Sequence, residues 1–268
     1  MLRIFIIETL LNNRFKVAYP TIMIQARTGS KRFPNKVLAK IEHQPMISHV
    51  INRLKRTKKI EQIILITTRK NEDKILLRIA KNNGIHSFAG DTFDVLNRHY
   101  QCALEFDADP IIRITGDCPL IDPSIVEKML RKYETNDYDY VTNIFPPTFP
   151  DGLDTEIFSF RTLEKITNKA KLSSDREHVT PYIRNHSKKF RIFNYENDKD
   201  LSMLRWTVDE KKDLQLVRAI YAKMRPRLVF SMENIIKIIS KNPEIMQINV
   251  GTARNEGYLE SLKKDICG

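Results

Sequence analysis

The stretch TIMIQARTGSKRFPNK, residues 21–36, joins a β-branched apolar run to a basic loop. The run from Thr21 to Ala26 predicts a buried β-strand. In the loop, Gly29 is expected to adopt a positive φ, which would let successive backbone N–H groups converge on a phosphate oxygen, and Ser30 adds a hydroxyl donor. Positive charge comes from four side chains, Arg27, Lys31, Arg32 and Lys36. The stretch therefore predicts a strand followed by a loop that binds the phosphates of a nucleoside triphosphate.

This loop contains neither G-x-x-x-x-G-K-S/T nor G-x-G-x-x-G, so the two common nucleotide-binding fingerprints are absent. A nucleotide site here must therefore be of another type. Composition alone gives about equal weight to a second interpretation, in which the stretch is a basic surface loop that binds no ligand.

Outward from this stretch, short β-branched runs alternate with helical patterns. The runs predict strands at 21–26, 62–68 and 110–115, and the helical patterns fall at 45–56, 72–82, 92–105 and 123–133. This alternation predicts an α/β fold with a mostly parallel sheet and helices on both faces. Because ligands of such sheets bind beyond the carboxyl ends of the strands, we expect the site residues to follow strands.

The alternation stops near residue 146, where a turn-rich segment contains Pro146, Pro147 and Pro150. We predict that residues 146–200 form a small inserted lobe that binds an acceptor and forms a dimer interface. The chain is then expected to return to the core with a strand at 204–208, followed by helices at 211–223 and 232–240.

Residues 1–19 are expected to form an N-terminal extension, and residues 20–268 a single domain. The stretch 1–11 is apolar, but it carries Arg3 and Glu8 and is not followed by a small-residue cleavage site, so it does not fit a signal peptide. No segment has the roughly 20 apolar residues that a membrane-spanning helix requires. We therefore expect no membrane partner.

Lysine and arginine outnumber aspartate and glutamate by 45 to 33, a formal net charge of +12 that favours anionic ligands. Phosphates, nucleic acid and acidic sugars all fit this charge. The basic residues lack a continuous stripe or an aromatic-rich RNA-binding pattern, so nucleic acid is not the expected partner. The three cysteines lack metal-type spacing and do not suggest a disulfide framework, which favours a reducing cytoplasm.

Two aspartates follow predicted strands at the edge where ligands bind. Asp117 comes after the strand at 110–115, and Asp209 after the strand at 204–208. Mg²⁺ prefers hard oxygen ligands and is often bound by one or two carboxylates together with substrate phosphates, so the pair predicts a Mg²⁺ site. Taken singly, Asp117 also fits a turn residue before Pro119, and Asp209 fits a helix N-cap.

The pattern R-x-G-S-x-R-x-P-x-K at residues 27–36 resembles the opening motif of the cytidylyltransferases that make CMP-activated acidic sugars. The spore-coat-polysaccharide and acylneuraminate types are the most similar. The resemblance continues in order over five further segments, 89–98, 113–122, 150–156, 175–182 and 205–209. It implies a Rossmann-like α/β/α sandwich of the nucleotide-diphospho-sugar transferase type. Asn35 stands where the family has glycine, and asparagine tolerates a left-handed conformation.

By this resemblance, the hydroxyl of an acidic sugar attacks the α-phosphorus of CTP, giving a CMP-linked sugar and pyrophosphate. Mg²⁺ is the implied cofactor and a homodimer the implied assembly. The implied catalytic residues are Arg27, Lys36 and Asp117, and the metal ligands are Asp117 and Asp209. The implied CTP-binding residues are Gln25, Ala26, Arg27, Gly29, Ser30, Arg32, Lys36, Thr67, Arg98 and Asp117.

The acceptor site is assigned to the segment where the alternation is broken. Its expected residues are Asp151, Asp154, Glu156, Arg176 and Glu177. Arg176 could pair bidentately with a sugar carboxylate, and the acidic side chains could bind hydroxyl groups. A purely structural interpretation has equal weight here, because Asp-Gly is a turn dipeptide and residues 175–178 fit a charged helical turn. His178 is not expected to transfer a proton.

Two other functions fit the same residues. A fold does not determine a reaction, so the first alternative is another nucleotidyl or glycosyl transfer on the same sandwich. The second is a basic binding protein for nucleic acid or another anionic polymer, which predicts strongly salt-dependent binding without turnover.

Overall fold

The computed structural model describes residues 18–251, 254 and 256–267, so most of the predicted N-terminal extension lies outside the described residues. The strands are β1 (Tyr19–Gln25), β2 (Lys40–Ile41), β3 (Gln44–Pro45), β4 (Gln62–Thr68), β5 (His86–Gly90), β6 (Ala108–Thr115), β7 (Tyr140–Thr142), β8 (Glu156–Phe158) and β9 (Ile192–Asn194). The helices are α1 (Met46–Leu54), α2 (Lys74–Asn82), α3 (Val95–Glu105), α4 (Pro123–Glu134), α5 (Phe160–Lys169), α6 (Ser173–His178), α7 (Pro181–Asn185), α8 (Lys211–Met224), α9 (Met232–Lys241) and α10 (Glu256–Cys267). Across these ranges, none of the helices combines the length and the apolar character needed to cross a bilayer.

Seven strands form one sheet in the order β5-β4-β1-β6-β8-β7-β9. The neighbours β5, β4, β1 and β6 are parallel. β8 is antiparallel to both β6 and β7, and β9 is parallel to β7. β2 and β3 form a separate antiparallel pair. The mostly parallel sheet predicted from the alternation is therefore confirmed.

Helices cover both faces of the sheet because its central strands are apolar on both sides. Ile22 and Ile24 of β1 belong to a buried cluster shared with α1, α2, α4, α8 and α9. Met23, which points to the opposite face, belongs to a second cluster shared with α3, α5 and α7. This alternation of neighbouring side chains between two helical layers confirms the predicted α/β/α sandwich.

The predicted strand at 204–208 is not formed, and only an isolated bridge joins Arg205 to Asp151. The amides of Trp206 and Thr207 both donate to Asp151 O, at 2.6 and 2.9 Å, so this segment wraps around one carbonyl instead of extending along a neighbour. The side chains of Trp206 and Val208 are still fully buried, and Leu204 packs against the core, which explains the apolar pattern of the segment. The strand prediction was therefore wrong, although the segment lies in the core.

The segment 146–200, predicted as an inserted lobe, contributes β8 and β9 to the main sheet. Its helix α5 packs on the same face as α3. The edge strand β5 was not predicted, because its residues are mostly half-buried and lack a continuous apolar run.

The carboxyl ends of β1 and β6 lie side by side, with Gln25 opposite Thr115. Gly116 N donates to Gln25 O at 2.8 Å. A Cβ on Gly116 would lie 2.8 Å from Ala26 Cβ and 3.0 Å from Ile47 Cδ1, so this close approach requires glycine. The loops that follow β1 and β6 therefore lie at the same edge of the sheet.

Candidate functional site

The loop after β1 is held by the buried carboxylate of Asp73. Thr28 N and Thr28 Oγ1 both donate to Asp73 Oδ1 at 2.7 Å, and Thr68 Oγ1 donates to the other carboxylate oxygen. Ser30 N and Asn35 N both donate to Thr28 O at 2.9 Å. Asp73, which the sequence analysis did not single out, therefore positions the basic loop.

The structure confirms one prediction about the backbone of this loop, at Asn35, and contradicts another, at Gly29. Asn35 has a φ of 59°, and its left-handed conformation is confirmed. Gly29 is not in the left-handed region, and a Cβ there would meet only Glu72 Oε1 at 3.6 Å, an ordinary contact. The expectation of a positive φ at Gly29 was therefore wrong, because the hydrogen bonds of Thr28 and the conformation of Asn35 make the turn.

Lys36 lies at the centre of the site. Its Nζ donates to Asp117 Oδ2 at 2.7 Å and to Asp209 Oδ1 at 2.8 Å. Burial lowers the pKa of this ammonium, but the two carboxylates raise it more, so the pKa of Lys36 lies above its ordinary value. Lys36 is therefore a fixed positive charge between Asp117 and Asp209.

Asp117 and Asp209 are brought together by the backbone as well as by Lys36. Val208 N donates to Asp117 O at 2.9 Å, which holds the segment before Asp209 against the end of β6. Burial raises the pKa of Asp117, but the charge and hydrogen bond of Lys36 lower it to about 2, so this carboxylate is ionised at neutral pH. Asp209 also contacts Arg32 Nη2 at 3.0 Å and Arg205 Nη2 at 2.7 Å.

The two aspartates fit the ligand chemistry of a hard divalent cation. Both carboxylates contact the same ammonium, so oxygen atoms of each converge on one point of the cleft. Over the described residues, there is no group of three or more His, Cys, Asp or Glu side chains that could hold a metal ion. A cation held here would need additional oxygen ligands from phosphate and water, which is the usual arrangement for Mg²⁺.

A cleft beside Lys36 consists of two adjoining cavities. The loop cavity, about 280 Å³, lies between the β1 loop and α10. The carboxylate cavity, about 210 Å³, is lined by Asp151, Asp154 and Glu156 among others. Both cavities share the lining residues Arg32, Thr115, Asp117, His178, Asp209 and Gly257. A ligand could therefore extend from one cavity to the other past Asp117.

Most of the residues predicted to bind nucleotide line the loop cavity. These are Gln25, Ala26, Arg27, Ser30, Arg32, Lys36, Arg98 and Asp117. Gly29 is not among the residues lining this cavity. Thr67 is fully buried within β4 and lines neither cavity. The structure therefore does not bring Thr67 together with the other predicted nucleotide-binding residues, because its side chain is enclosed in the core.

Arg98 reaches the loop cavity from α3. Its side chain is almost fully buried, and its Nη1 donates to Asp91 O at 2.6 Å. Its Nε is buried without a hydrogen-bond partner. Burial and the charge of Arg27 lower the pKa of Arg98 to about 10, which still leaves it charged at neutral pH. A charged guanidinium in the wall of this cavity favours an anionic ligand.

Three predicted acceptor residues line the carboxylate cavity. Asp151 Oδ2 contacts Arg205 Nη1 at 2.9 Å, and Asp154 Oδ1 contacts Arg254 Nη2 at 2.6 Å. Burial and the neighbouring Asp154 raise the pKa of Asp151 to about 7. The cavity therefore offers carboxyl groups that can accept hydrogen bonds from hydroxyl groups, and at Asp151 can also donate one.

Arg176 lies outside both cavities. Its Nε and Nη2 contact Asp94 Oδ2 at 2.8 and 2.5 Å, and its Nη1 donates to the carbonyl oxygens of Thr167 and Ala170 at 3.1 Å. Asp94 also accepts from Asn97 N as the cap of α3. The structure therefore does not bring Arg176 together with the other predicted acceptor residues, because its guanidinium joins α6 to α3 and to the end of α5.

The variant Arg176→Gln is expected to destabilise the fold by about 1–3 kcal/mol, because Asp94 loses a charged partner and two carbonyl groups lose a donor. The KM for the acceptor should stay unchanged, because the side chain does not line the cleft. Thermal unfolding and steady-state kinetics measure the two effects. Arg161→Gln, at an exposed position of α5, is the control for the charge change. A large rise in acceptor KM at wild-type stability would contradict the structural role.

The C-terminal helix α10 forms one wall of the cleft, a role that no motif in its sequence indicated. Its cleft-lining residues are Glu256, Gly257, Tyr258, Glu260, Ser261 and Lys264. Ser261 Oγ donates to Glu177 Oε2 at 2.9 Å and lies 3.0 Å from His178 Nε2, which fastens α10 to α6. Glu177 faces the loop cavity, where its Oε1 lies 3.9 Å from Arg27 Nη2. The structure therefore places Glu177, which was predicted on the acceptor side, at the loop cavity.

His178 lies where the two cavities meet. Burial lowers the pKa of its imidazole to about 4, so the ring is neutral at pH 7. Its ring packs edge-on against Tyr258, with centroids 5.3 Å apart. Together with the contact to Ser261, this packing accounts for His178 without a proton-transfer role.

Glu256 pairs with one of the cations of the β1 loop. Its Oε2 lies 2.5 Å from Arg32 Nη1, while Arg32 Nη2 contacts Asp209. The Arg32 and Glu256 side chains are about one-third exposed, so the pair is a moderate interaction. A phosphate that binds Arg32 must compete with this carboxylate.

We therefore expect Glu256→Gln to lower the KM for nucleoside triphosphate about fivefold, since a partly exposed pair contributes up to about 1 kcal/mol. Steady-state kinetics at fixed acceptor concentration measures the change. Glu260→Gln removes the same charge from the same helix, at the loop cavity, but leaves the Arg32 pair intact, and should have a smaller effect. An equal effect of both variants would show that the general charge of α10 matters and not the pair.

Comparisons with known proteins show which proteins this chain is similar to. A family model described as cytidylyltransferase matches residues 21–253. The spore coat polysaccharide biosynthesis protein SpsF of Bacillus subtilis is 29% identical, over 83% of this chain and 94% of that protein. An 8-amino-3,8-dideoxy-manno-octulosonate cytidylyltransferase of Shewanella frigidimarina is 33% identical, over 42% of this chain and 47% of its own length. A solved cytidylyltransferase structure from Leptospira borgpetersenii has a TM-score of 0.84 and 34% identity, over 88% of this chain and 100% of that chain.

The family match includes the β1 loop, Asp117, Asp209 and the three carboxylates of the second cavity. It ends at residue 253, before the cleft wall that α10 contributes.

Proposed function

We propose that this chain, which belongs to the cytidylyltransferase family, transfers CMP from CTP to the hydroxyl of an acidic sugar and releases pyrophosphate. The observation that carries the proposal is the divided cleft, in which a cavity lined by the cations of the β1 loop meets a second, carboxylate-lined cavity at Asp117. The relatives named for a spore coat polysaccharide and for an octulosonate support a sugar acid as acceptor, in the synthesis of a surface polysaccharide.

In this proposal the triphosphate lies in the loop cavity. Its phosphates are bound by the loop residues Arg27, Ser30, Arg32 and Lys36, and Arg98 provides a buried charge at the same cavity. The sugar lies in the carboxylate cavity, so that its hydroxyl faces the α-phosphorus near Asp117. A bond forms between the hydroxyl oxygen and the α-phosphorus, the bond to the bridging oxygen of pyrophosphate breaks, and the hydroxyl proton is released to water. Positioned cations stabilise the charge that pyrophosphate gains, so no covalent nucleophile is required.

Mg²⁺ is the proposed cofactor. Asp117 and Asp209 would hold it together with phosphate oxygens, since both carboxylates already converge on the ammonium of Lys36. When bound, a divalent cation neutralises phosphate charge and polarises the phosphoryl group under attack. Lys36 keeps both carboxylates in place by its ion pairs, and Arg205 also holds Asp209.

The experiment that tests this function measures pyrophosphate release from CTP, UTP, dTTP and ATP, each with Mg²⁺ and a panel of sugar acids that includes 3-deoxy-manno-octulosonate and N-acetylneuraminate. The expected result is turnover with CTP and at least one acid, and none without an acceptor. Turnover with a different nucleotide would overturn the specificity for CTP. If no triphosphate binds and an anionic polymer does, the function as a basic binding protein is the better account.

A homodimer formed through residues 146–200 and a cytoplasmic location stay predictions. Light scattering at micromolar concentration tests the first, since a monomer would exclude the dimer.

A further inference from the structure

Within the part of the chain that the structure describes, four arginines line the carboxylate cavity, and each could pair with the carboxylate of a sugar acid. They are Arg32, Arg113, Arg184 and Arg205. A bound carboxylate requires a guanidinium that is not already engaged in short contacts with the protein's own carboxylates. The contacts of each arginine therefore indicate which one is available.

Three of the four arginines already form short ion pairs with carboxylates of the protein. Arg113 forms an ion pair with Glu156, and its Nη2 donates to Gln25 Oε1 at 3.1 Å. Arg32 contacts Asp209 and Glu256 at 3.0 and 2.5 Å. Arg205 contacts three aspartates, Asp151, Asp209 and Asp213, at 2.9, 2.7 and 3.3 Å. Their positive charges are balanced within the cleft.

Arg184, at the end of α7, has longer contacts. Its Nη1 lies 3.6 Å from Glu156 Oε1 and 3.5 Å from Thr180 Oγ1, both at the limit of a hydrogen bond. Glu156 has closer partners than Arg184, because Arg113 forms an ion pair with it and the hydroxyls of Tyr140 and Thr180 donate to it. Burial raises the pKa of Glu156, but the charges of Arg113 and then of Arg184 lower it below its ordinary value, so two cations face this one carboxylate. Arg184 therefore contributes a positive charge to the cavity beyond what Glu156 requires.

A side chain of α10 borders this guanidinium. The ring of Tyr258 lies with its centroid 5.9 Å from Arg184 Cζ, within the range of a cation–π contact. The same ring also packs edge-on against His178. Tyr258 thus limits the positions that Arg184 can adopt, and it lies beyond the part of the chain that the family model matches.

We propose that Arg184 binds the carboxylate of the acceptor sugar and that Tyr258 positions its guanidinium toward the cavity. This inference rests on the proposed function and replaces the role predicted for Arg176. A planar guanidinium matches a carboxylate in a bidentate pair, so Arg184 distinguishes a sugar acid from a neutral sugar. The helix α10 is then part of the acceptor site.

The test compares 3-deoxy-manno-octulosonate or N-acetylneuraminate, whichever the enzyme turns over, with the methyl ester of the same sugar. Arg184→Gln is expected to raise the KM for the acid about 100-fold, to leave the KM for CTP unchanged, and to abolish the preference for acid over ester. Arg184→Lys should recover part of the preference, because it restores the charge without the planar geometry. Arg191→Gln, an exposed arginine on the surface, is the matched control.

Tyr258→Ala tests whether Tyr258 positions the guanidinium of Arg184, which stays intact in this variant. The same variant tests the inference if Arg184→Gln fails to fold. It should raise the KM for the acid about fivefold, whereas Tyr258→Phe, which keeps the ring, should not. Equal losses for acid and ester in Arg184→Gln, or a preserved preference for the acid, would overturn the inference while leaving the proposed function intact. Failure of the wild-type enzyme to turn over any sugar acid would instead overturn the proposed function, and the inference with it.

Discussion

Replacing Asp117 by asparagine should lower kcat for CTP-dependent pyrophosphate release by about 10²- to 10³-fold, the usual cost of removing one preorganised electrostatic group. Asparagine keeps the size of the side chain but removes its charge. The pKa of about 2 shows that the surroundings, above all Lys36, favour the ionised carboxylate. The variant would leave Lys36 with Asp209 as its remaining carboxylate partner and would remove one proposed ligand of Mg²⁺.

The measurement is kcat at saturating CTP over a range of Mg²⁺ concentrations, with thermal unfolding as the test of folding. Asp198→Asn, at an exposed position, makes the same chemical change away from the cleft and should retain wild-type activity. A folded Asp117→Asn enzyme with wild-type kcat would exclude Asp117 from the catalytic machinery.

Replacing Gly152 by alanine is expected to destabilise the fold by about 3 kcal/mol and to lower Tm by roughly 6–12 °C. Gly152 has a φ of +106°, a conformation that L residues with a Cβ rarely adopt. The added Cβ would lie 2.5 Å from Thr207 N and 2.7 Å from Trp206 C, and both are backbone atoms that cannot rotate away. The turn at Gly152 must therefore shift away from the segment that carries Arg205 and Asp209.

Differential scanning calorimetry of both proteins measures this effect. Gly257→Ala is the matched control, because it lies in α10 and its Cβ would meet nothing within 4 Å. That control is expected to be neutral or to stabilise by about 0.4–1 kcal/mol. An unchanged Tm in Gly152→Ala would show that the turn can relax without disturbing the core.

The sequence by itself determined the fold class and the family. Apolar runs at strand spacing and helical patterns between them are local consequences of burial, so they can be read without knowing which elements become neighbours. The basic loop could be located for the same reason, because all of its cations follow one strand within 11 residues of chain. Asp117 and Asp209 could be proposed as a pair because each was expected at the carboxyl end of a strand, where parallel sheets bind ligands.

Only the tertiary structure decided which charged groups meet. Lys36 contacts Asp209 across 173 positions of the chain, and Arg32 contacts Glu256 across 224. Arg176 was assigned to the acceptor from its charge, whereas the fold placed Asp94 beside it. Conversely, Arg184 and α10 carry no sequence signal that distinguishes them from a surface arginine and an ordinary helix. The periodicity of a sequence indicates which residues are buried. The role of a charged side chain depends instead on the charges around it. These neighbours come from distant segments that only the folded chain brings together.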